Sequence, residues 1–527
     1  MSTPLQTSAR AAPIPRASAR RDAGALDRGT MIVASVVLLG AVMSILDTTV
    51  INVAINRLAL DFNAPLTTIQ WVVTGYTLAL AAVIPITGWA ADRFGTKRIY
   101  LTSLALFMLG SILCAFAWSA ASLIAFRVLQ GAGGGMIMPS AMTILTKKAG
   151  PHRMGRVMGI LGVPMLVAPI LGPILGGWLV DDVSWRWIFL INVPIGIAAI
   201  VLAKMVLERD QPQPTSKLDW VGMALLSPGL TFLIFGLAES NGTDGFAAPR
   251  SWLPIVAGAA LIIGFLRHSM KAKEPLIDIR TFTHTRAGAA AGTLMLFAIA
   301  FFGALLLIPL YYQVVRGASA LHAGLLVAPL GLGSMITMPI AGKLSDRYGS
   351  TVWAACGIPL LVLGMVPFTL VTATTSYVLL CGSSFVLGLG MGLAMMPTMT
   401  AAMQAVPTTA IARTSTAMNI IRQSGASIGT AILSVLLASA ISDRLFAGDQ
   451  PSGGGGFDAL RALSPEAKAR AAEPLADAFA HTFLWAVVLL ALAFIPALAM
   501  ALGKRKLPVG DLAAEATSVV ALESPRA

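Results

Sequence analysis

Apolar residues fill long runs along this chain, each close to 20 residues, divided by short polar links rich in glycine, proline or basic residues. A helix needs roughly 20 residues, at about 1.5 Å each, to cross a bilayer core. The pattern predicts fourteen crossing helices, near 31–55, 68–89, 98–118, 121–144, 156–180, 186–206, 218–238, 251–267, 287–314, 321–342, 351–372, 375–402, 413–440 and 481–503. A transmembrane barrel would instead show short alternating segments. The chain therefore reads as an all-α polytopic membrane protein.

Composition supports this reading. Of 527 residues, 56% are hydrophobic and only 12% charged, where a soluble domain carries about 25%. The net charge of +13 raises nucleic acid or anionic lipid as partners. The cations' placement answers the question. Most lysines and arginines fall in the loops on the side that holds both termini, as the positive-inside rule requires of cytoplasmic loops. Both termini are thus expected inside the cell, and no nucleic-acid partner is needed. The three cysteines, Cys114, Cys356 and Cys381, all lie in apolar runs without a CxxC pair, so neither a disulfide framework nor a metal site is expected.

The chain repeats itself. Gly88-Trp-Ala-Ala-Asp92-Arg93-Phe94-Gly95 recurs as Gly342-Lys-Leu-Ser-Asp346-Arg347-Tyr348-Gly349, and Val128-Leu129, Met138 and Pro139 recur as Val386-Leu387, Met396 and Pro397. Such parallel repeats are related by an axis along the membrane normal. The predicted organisation is a tail at 1–29, a six-helix half at 30–206, a two-helix insertion at 218–267, a second half at 287–503 and a tail at 504–527. Both tails are read as cytoplasmic, and the first, Arg-, Ala-, Ser- and Pro-rich, as disordered. A signal peptide is the competing reading of the start, but the apolar run that follows is too long and carries Asp47. Residues 441–480 read as an outer loop whose stretch 462–479, Ala-Leu-Ser-Pro-Glu-Ala-Lys-Ala-Arg-Ala-Ala-Glu-Pro-Leu-Ala-Asp-Ala-Phe, forms a short surface helix with Ser464 as N-cap.

Two residues stand out against the apolar background. Asp47 is the only acid well inside a predicted span. Arg127 lies inside the fourth, with Gln130 one turn away. Intramembrane charges are costly and mark pathways or proton relays. Asp47 is the candidate proton carrier, with Arg127 poising it electrostatically and Gln130 completing the network. The bland alternatives are a packing carboxylate and a snorkelling arginine. Arg422 in the thirteenth span is a further candidate for a cavity or for snorkelling. The loop Gly88 to Arg98 reads as a gate: Gly88 allows close helix approach, Asp92 caps or pairs with the other half, and Gly95 permits the turn. Arg93 and the recurrent Asp346 and Arg347 extend that gate. Pro164, Pro169 and Pro173 with Gly172, Gly176 and Gly177 predict a kinked fifth helix at the interface of the halves. Trp71, Tyr76, Asn52 and Phe301 are candidates for lining an apolar substrate cavity.

These motifs resemble the major facilitator superfamily and, within it, the fourteen-helix drug:proton antiporters of the EmrB/QacA type. Leu46-Asp47-Thr48-Thr49-Val50-Ile51-Asn52-Val53-Ala54, the Gly88–Arg98 loop, Arg127-Val-Leu-Gln130-Gly131 and Gly172-Pro173-Ile-Leu-Gly176-Gly177 carry the resemblance, with Trp185-Arg-Trp-Ile-Phe-Leu-Ile-Asn192 beside them. The chain departs from the pattern at Ile55-Asn56, Thr96 and Ala168. The resemblance implies a major facilitator fold with two inserted helices, in the cell (inner) membrane. It implies export of amphipathic drugs or antibiotics in exchange for protons, with the proton gradient in place of any cofactor. It leaves open whether an accessory efflux protein takes part. A nutrient:proton symporter is the alternative. An ATP-driven pump lacks its GxxxxGK[ST] loop, and a membrane-embedded enzyme lacks clustered acids or histidines, since the five histidines are scattered.

Overall fold

The structure is a computed structural model. It describes residues 27–150, 153, 155–157, 159, 171–172, 175–208, 217–240, 246, 248–283, 285–407, 410–445 and 465–503, some of them by backbone alone. Among these there is no strand. The helices are α1 (Arg28–Asp61), α2 (Leu66–Phe94), α3 (Thr96–Ala115), α4 (Ala120–Ala149), α5 (Trp187–Leu190), α6 (Asn192–Val206), α7 (Trp220–Glu239), α8 (Pro249–Lys271), α9 (Arg280–Thr283), α10 (Thr285–Val314), α11 (Ala320–Tyr348), α12 (Ser350–Met365), α13 (Tyr377–Gln404), α14 (Ile411–Leu445) and α15 (Pro465–Leu502). Thirteen helical stretches among the described residues are long and apolar enough to cross a membrane. The predicted span at 156–180 falls largely outside the described residues, as do most of the first tail and the whole of the second.

The repeat is visible in the packing. In the first half α4 packs on α1, α2 and α3, while α6 packs on α1 and α3. In the second half α13 packs on α10, α11 and α12, while α15 packs on α10 and α12. Prolines sit at matching places inside helices, Pro85 with Pro339 and Pro139 with Pro397. A proline in a spanning helix is tolerated where neighbouring helices satisfy the backbone it frees. The turns after α2 and α11 match as well. Gly95 and Gly349 have φ of 92° and 97° with ψ of 139° and 137°, a conformation that side chains with a Cβ rarely adopt.

Capping explains where several helices begin. Asp27 Oδ1 accepts from Thr30 N at 2.8 Å and opens α1. Ser119 and Ser122 form a capping box that opens α4 within three residues of α3's last turn. Lys97, in the first turn of α3, donates to the carbonyls of Lys204 (2.8 Å) and Leu207 at the end of α6, a cation placed where a helix leaves its carbonyls unpaired.

The two inserted helices, α7 and α8, pair with each other, and α7 rests on both α2 and α14. Leu226, Leu230, Phe265, Leu276 and Ile277 form a small core with Ala417 of α14, and Trp89 of α2 packs against it. The insertion thus touches both halves. One boundary differs from the sequence expectation. The surface helix expected before residue 481 is not separate: α15 runs unbroken from Pro465, and Ala471, Leu475, Ala476 and Phe479 are buried in the core. The outer loop expected at 441–480 is correspondingly shorter, and Ser464 lies outside the described residues. Burial of one apolar stripe outweighed the polar look of the segment.

Candidate functional site

Asp47 and Arg127 meet at the centre of the first half. Arg127 Nη1 lies 2.5 Å from Asp47 Oδ2, and both side chains are fully buried. Gln130 joins them: it accepts from Arg127 Nη1 at 2.8 Å and donates through Nε2 to Asp47 Oδ1 at 2.8 Å. Arg127 Nε also donates to the Val72 carbonyl at 3.2 Å, and its guanidinium lies 4.1 Å over the Tyr76 ring. Its Nη2 has no partner among the described residues.

Close helix approach makes this geometry. A Cβ on Gly110 would lie 2.6 Å from Gln130 Cα, and one on Gly131 would press into the Tyr76 carbonyl. Missing side chains let α2, α3 and α4 draw together at the level of the pair. α6 then brings Asn192, whose Nδ2 donates to Asp47 Oδ1 at 2.9 Å and to Ser111 Oγ at 3.0 Å. Gln130 Nε2 also donates to Ser111 Oγ at 3.2 Å, and Ser111 Oγ donates to the Phe189 carbonyl at 2.9 Å. Four crossing helices therefore share one buried polar cluster. Sequence reading noted Asn192 only as part of a resemblance and missed Ser111. The available signal was a lone amide at the head of an apolar run.

A second pair of sites lies at the ends of α2 and α11. Asp92 Oδ2 accepts from Arg413 Nε of α14 at 3.3 Å, and Arg413 Nη1 donates to the Pro275 carbonyl at 3.0 Å. Asp346 accepts backbone N–H groups from Gly155 (2.8 Å) and Arg156 (3.3 Å), with Arg156 Nε at 3.6 Å. Each aspartate thus ties its own half to a helix of the other. Glycines admit the contact: a Cβ on Gly88 would lie 3.1 Å from Arg413 Cα, and Gly342 packs on the Gly155 backbone. Arg413 and Arg156 are the partners, two cations that no motif in the sequence marks out. Arg93 makes no ion pair among the described residues, and Arg347 lies 5.1 Å from the Tyr348 ring. Thr96 accepts from Lys147 Nζ at 3.2 Å, so the position that departs from the family pattern has its own tie.

The remaining candidates divide. Gly172 and Gly176 pack on Thr49 and Val50 of α1, beside Asp47, whereas Gly177 has open space around it. The contact with the other half is made lower on the same segment, by Gly155 and by Gly159 against Met338. Most of the fifth helix, Pro164 and Pro169 included, lies outside the described residues. Pro173 lies outside the described residues, and the side chain of Asn52 is not described. Trp71 is turned to α7, its ring 5.7 Å from Phe235, not between the halves. Tyr76 belongs under Arg127. Phe301 is buried in a row with Phe297 (5.2 Å) and Phe302 (5.6 Å). Aromatics in a spanning helix face lipid, a neighbouring helix or a cavity, and composition does not tell which. Arg422 is partly buried in mid-helix, and its Nε has no partner among the described residues. No cluster of His, Cys, Asp or Glu among the described residues could hold a metal.

Two matching helical halves, tied across one face and carrying a charged pair within the spans, define a multi-pass membrane carrier of the kind that rocks about a midplane site. The sequence profile of the Major Facilitator Superfamily matches residues 37–430, and the chain belongs to that superfamily. It is 43% identical over 426 residues to a multidrug resistance protein B homolog of Mycobacterium tuberculosis (strain ATCC 25618 / H37Rv), covering 80% of this chain and 79% of that one. It is 32% identical over 408 residues to the multidrug export protein EmrB of Haemophilus influenzae (strain ATCC 51907 / DSM 11121 / KW20 / Rd), covering 77% and 80%. Among solved structures, the human organic anion transporter MFSD10 (TETRAN) aligns with a TM-score of 0.56 at 15% identity, covering 88% of this chain and 99% of that one. The proton:xylose symporter XylE aligns at 0.55 and 13%, covering 87% and 94%. At these identities the structural likeness is one of fold.

Proposed function

We propose that the protein exports amphipathic small molecules, drugs or antibiotics, from the cell in exchange for protons, by alternating access. The observation that carries this reading is the buried ion pair of Asp47 and Arg127, with one guanidinium nitrogen unpaired among the described residues. An acid inside the spans is retained at a cost of several kcal/mol on most scales. Arg127 keeps its charge at any working pH, so a proton arriving at the pair goes to Asp47. Protonation removes the charge that holds Nη1 and frees α1 to move against α4. Movement in the other direction restores the pair and releases the proton. The family relatives named for multidrug resistance and export support the direction of transport. No step makes or breaks a covalent bond of the substrate, and the proton gradient serves in place of a cofactor.

The basic loops support an arrangement with both termini cytoplasmic, which puts the Asp92 and Asp346 ties on the inner face. In that orientation the conformation described is closed toward the cytoplasm. The partners are then the bilayer, protons and the small-molecule substrate, without nucleic acid.

Full burial of Asp47 also favours a second reading. The pair is then a fixed tie between α1 and α4, and the coupling proton travels elsewhere. Asp47→Asn separates the two. In proteoliposomes with an imposed pH gradient, the proton-carrier reading expects the purified variant to insert normally and to lose gradient-driven efflux while retaining substrate binding. Efflux that still responds to the gradient, in a variant with lowered thermal stability, supports the fixed tie.

A further inference from the structure

Arg422 is a cation that nothing in the described structure neutralises. It sits eleven residues into α14, about 16 Å from that helix's first residue, farther than one side chain can snorkel. Among the described residues it makes no hydrogen bond, ion pair or ring contact, and its Nε is buried without a partner there. Asp47, the one acid deep in the spans, is held by Arg127, Gln130 and Asn192. Asp92 and Asp346 are engaged in the interhalf ties.

The helical register fixes where Arg422 faces. Asn419 and Gly425 lie three residues to either side, each about 60° from Arg422 around the axis, in opposite senses. Asn419 Nδ2 donates to Met142 Sδ of α4, in the first half. Gly425 packs against Ala298 and Met295 of α10, in the second. Arg422 therefore bisects the directions of α4 and α10 and points between the halves. Ser415, about 20° away on the same face, donates to the Pro139 carbonyl of α4 at 3.2 Å. The side chain is only partly buried, so it opens into that space and is not sealed in a core.

We propose that Arg422 is the anion-recognising group of the substrate site, and that the carrier prefers amphipathic weak acids: an apolar body with one negative head. The proposal rests on the exporter reading above and names its substrate class. A guanidinium is a planar fork suited to carboxylate, sulfonate or phenolate oxygens. An unpaired charge in a low-dielectric crevice attracts its counter-ion strongly, and methionines nearby adapt to varied apolar bodies. A cationic substrate would meet repulsion at the same point.

A matched pair of probes tests this: 8-anilinonaphthalene-1-sulfonate and the neutral N-phenyl-1-naphthylamine, which differ chiefly by the sulfonate. Ethidium serves as the cation. Wild-type protein and the variants Arg422→Gln and Arg422→Lys are reconstituted in zwitterionic liposomes with an imposed pH gradient. The expected result is a half-saturation about tenfold lower for the sulfonate than for the neutral probe. Arg422→Gln erases that ratio, and Arg422→Lys retains part of it. An unchanged ratio in Arg422→Gln, or a wild-type preference for ethidium, overturns the proposal. If phosphatidylglycerol in the bilayer abolishes the sulfonate preference, an anionic lipid headgroup is the occupant and the proposal likewise falls. If wild type moves no probe against the gradient, the exporter reading fails separately. Arg422 is then judged by thermal shift in detergent, where the sulfonate stabilises wild type and Arg422→Lys but not Arg422→Gln. Equal shifts in all three overturn the proposal, and Arg422→Lys covers the case in which the glutamine variant does not fold.

Discussion

Asn192 Nδ2 sits 2.9 Å from Asp47 Oδ1, so the carboxylate at the heart of α1 is held from α6 as well as from α4. The acid has donors on both oxygens: Arg127 on one, Gln130 and Asn192 on the other. A side chain satisfied on both sides has one orientation, and a change in its charge is felt by three helices at once.

Breaking the pair from the arginine side leaves a buried acid uncompensated. Arg127→Met is expected to destabilise the protein by about 3–5 kcal/mol. Adding Asp47→Asn to it should recover a large part. Thermal unfolding in detergent of the two single variants and the double variant gives the coupling; strict additivity would show that the two charges do not interact.

Asn192→Leu removes donors to Asp47 and Ser111 while keeping a side chain of similar size. Loss of about 1–3 kcal/mol is expected, together with reduced gradient-driven transport. Wild-type stability and transport in this variant would mean that α6 takes no part in the cluster.

The two interhalf ties are expected to hold the same face shut. Spin labels at Phe94 and Tyr348, both exposed at the ends of α2 and α11, report the opening. Asp346→Ala or Arg413→Ala should lengthen the label-to-label distance distribution, and the double variant should lengthen it further. No change in the double variant would remove the gate role.

Gly349 combines a φ of 97° with open space around a hypothetical Cβ. Gly349→Ala therefore has strain but no clash, and should cost about 1–3 kcal/mol. A thermal melt equal to wild type would show that the turn has a second accessible conformation.

Asp219 anchors the segment that follows the insertion. Burial pushes its carboxyl up, but hydrogen bonds from Gly222 N, His268 and Leu276 N outweigh it and hold the group below its ordinary value of 3.8. A lowered folded value stabilises above the unfolded pKa and is lost as pH falls through the folded one. The anchor should thus be intact from neutral pH down to 5 and fail only below 3.8. Hydrogen exchange at the Leu276 amide measures this: Asp219→Asn should speed exchange at neutral pH, and wild type should show no step between pH 7 and 5.

By itself the sequence determined the helical class, thirteen of the crossings described, the internal repeat and the acid at its centre. These are properties of runs and spacings, and a charge inside an apolar run is visible at once. Tertiary structure alone decided partners and directions. Asn192 and Gln130 meet Asp47 from helices far along the chain, and Ser111 joins the two amides. Arg413 and Arg156 are the latch cations, while Arg93 makes no ion pair among the described residues. Trp71 turns to α7, and Phe301 sits in the core. The reason lies in the solvent: lipid tails are as apolar as a protein interior, so a spanning helix carries no polar stripe to mark which face meets lipid, a neighbouring helix or a cavity.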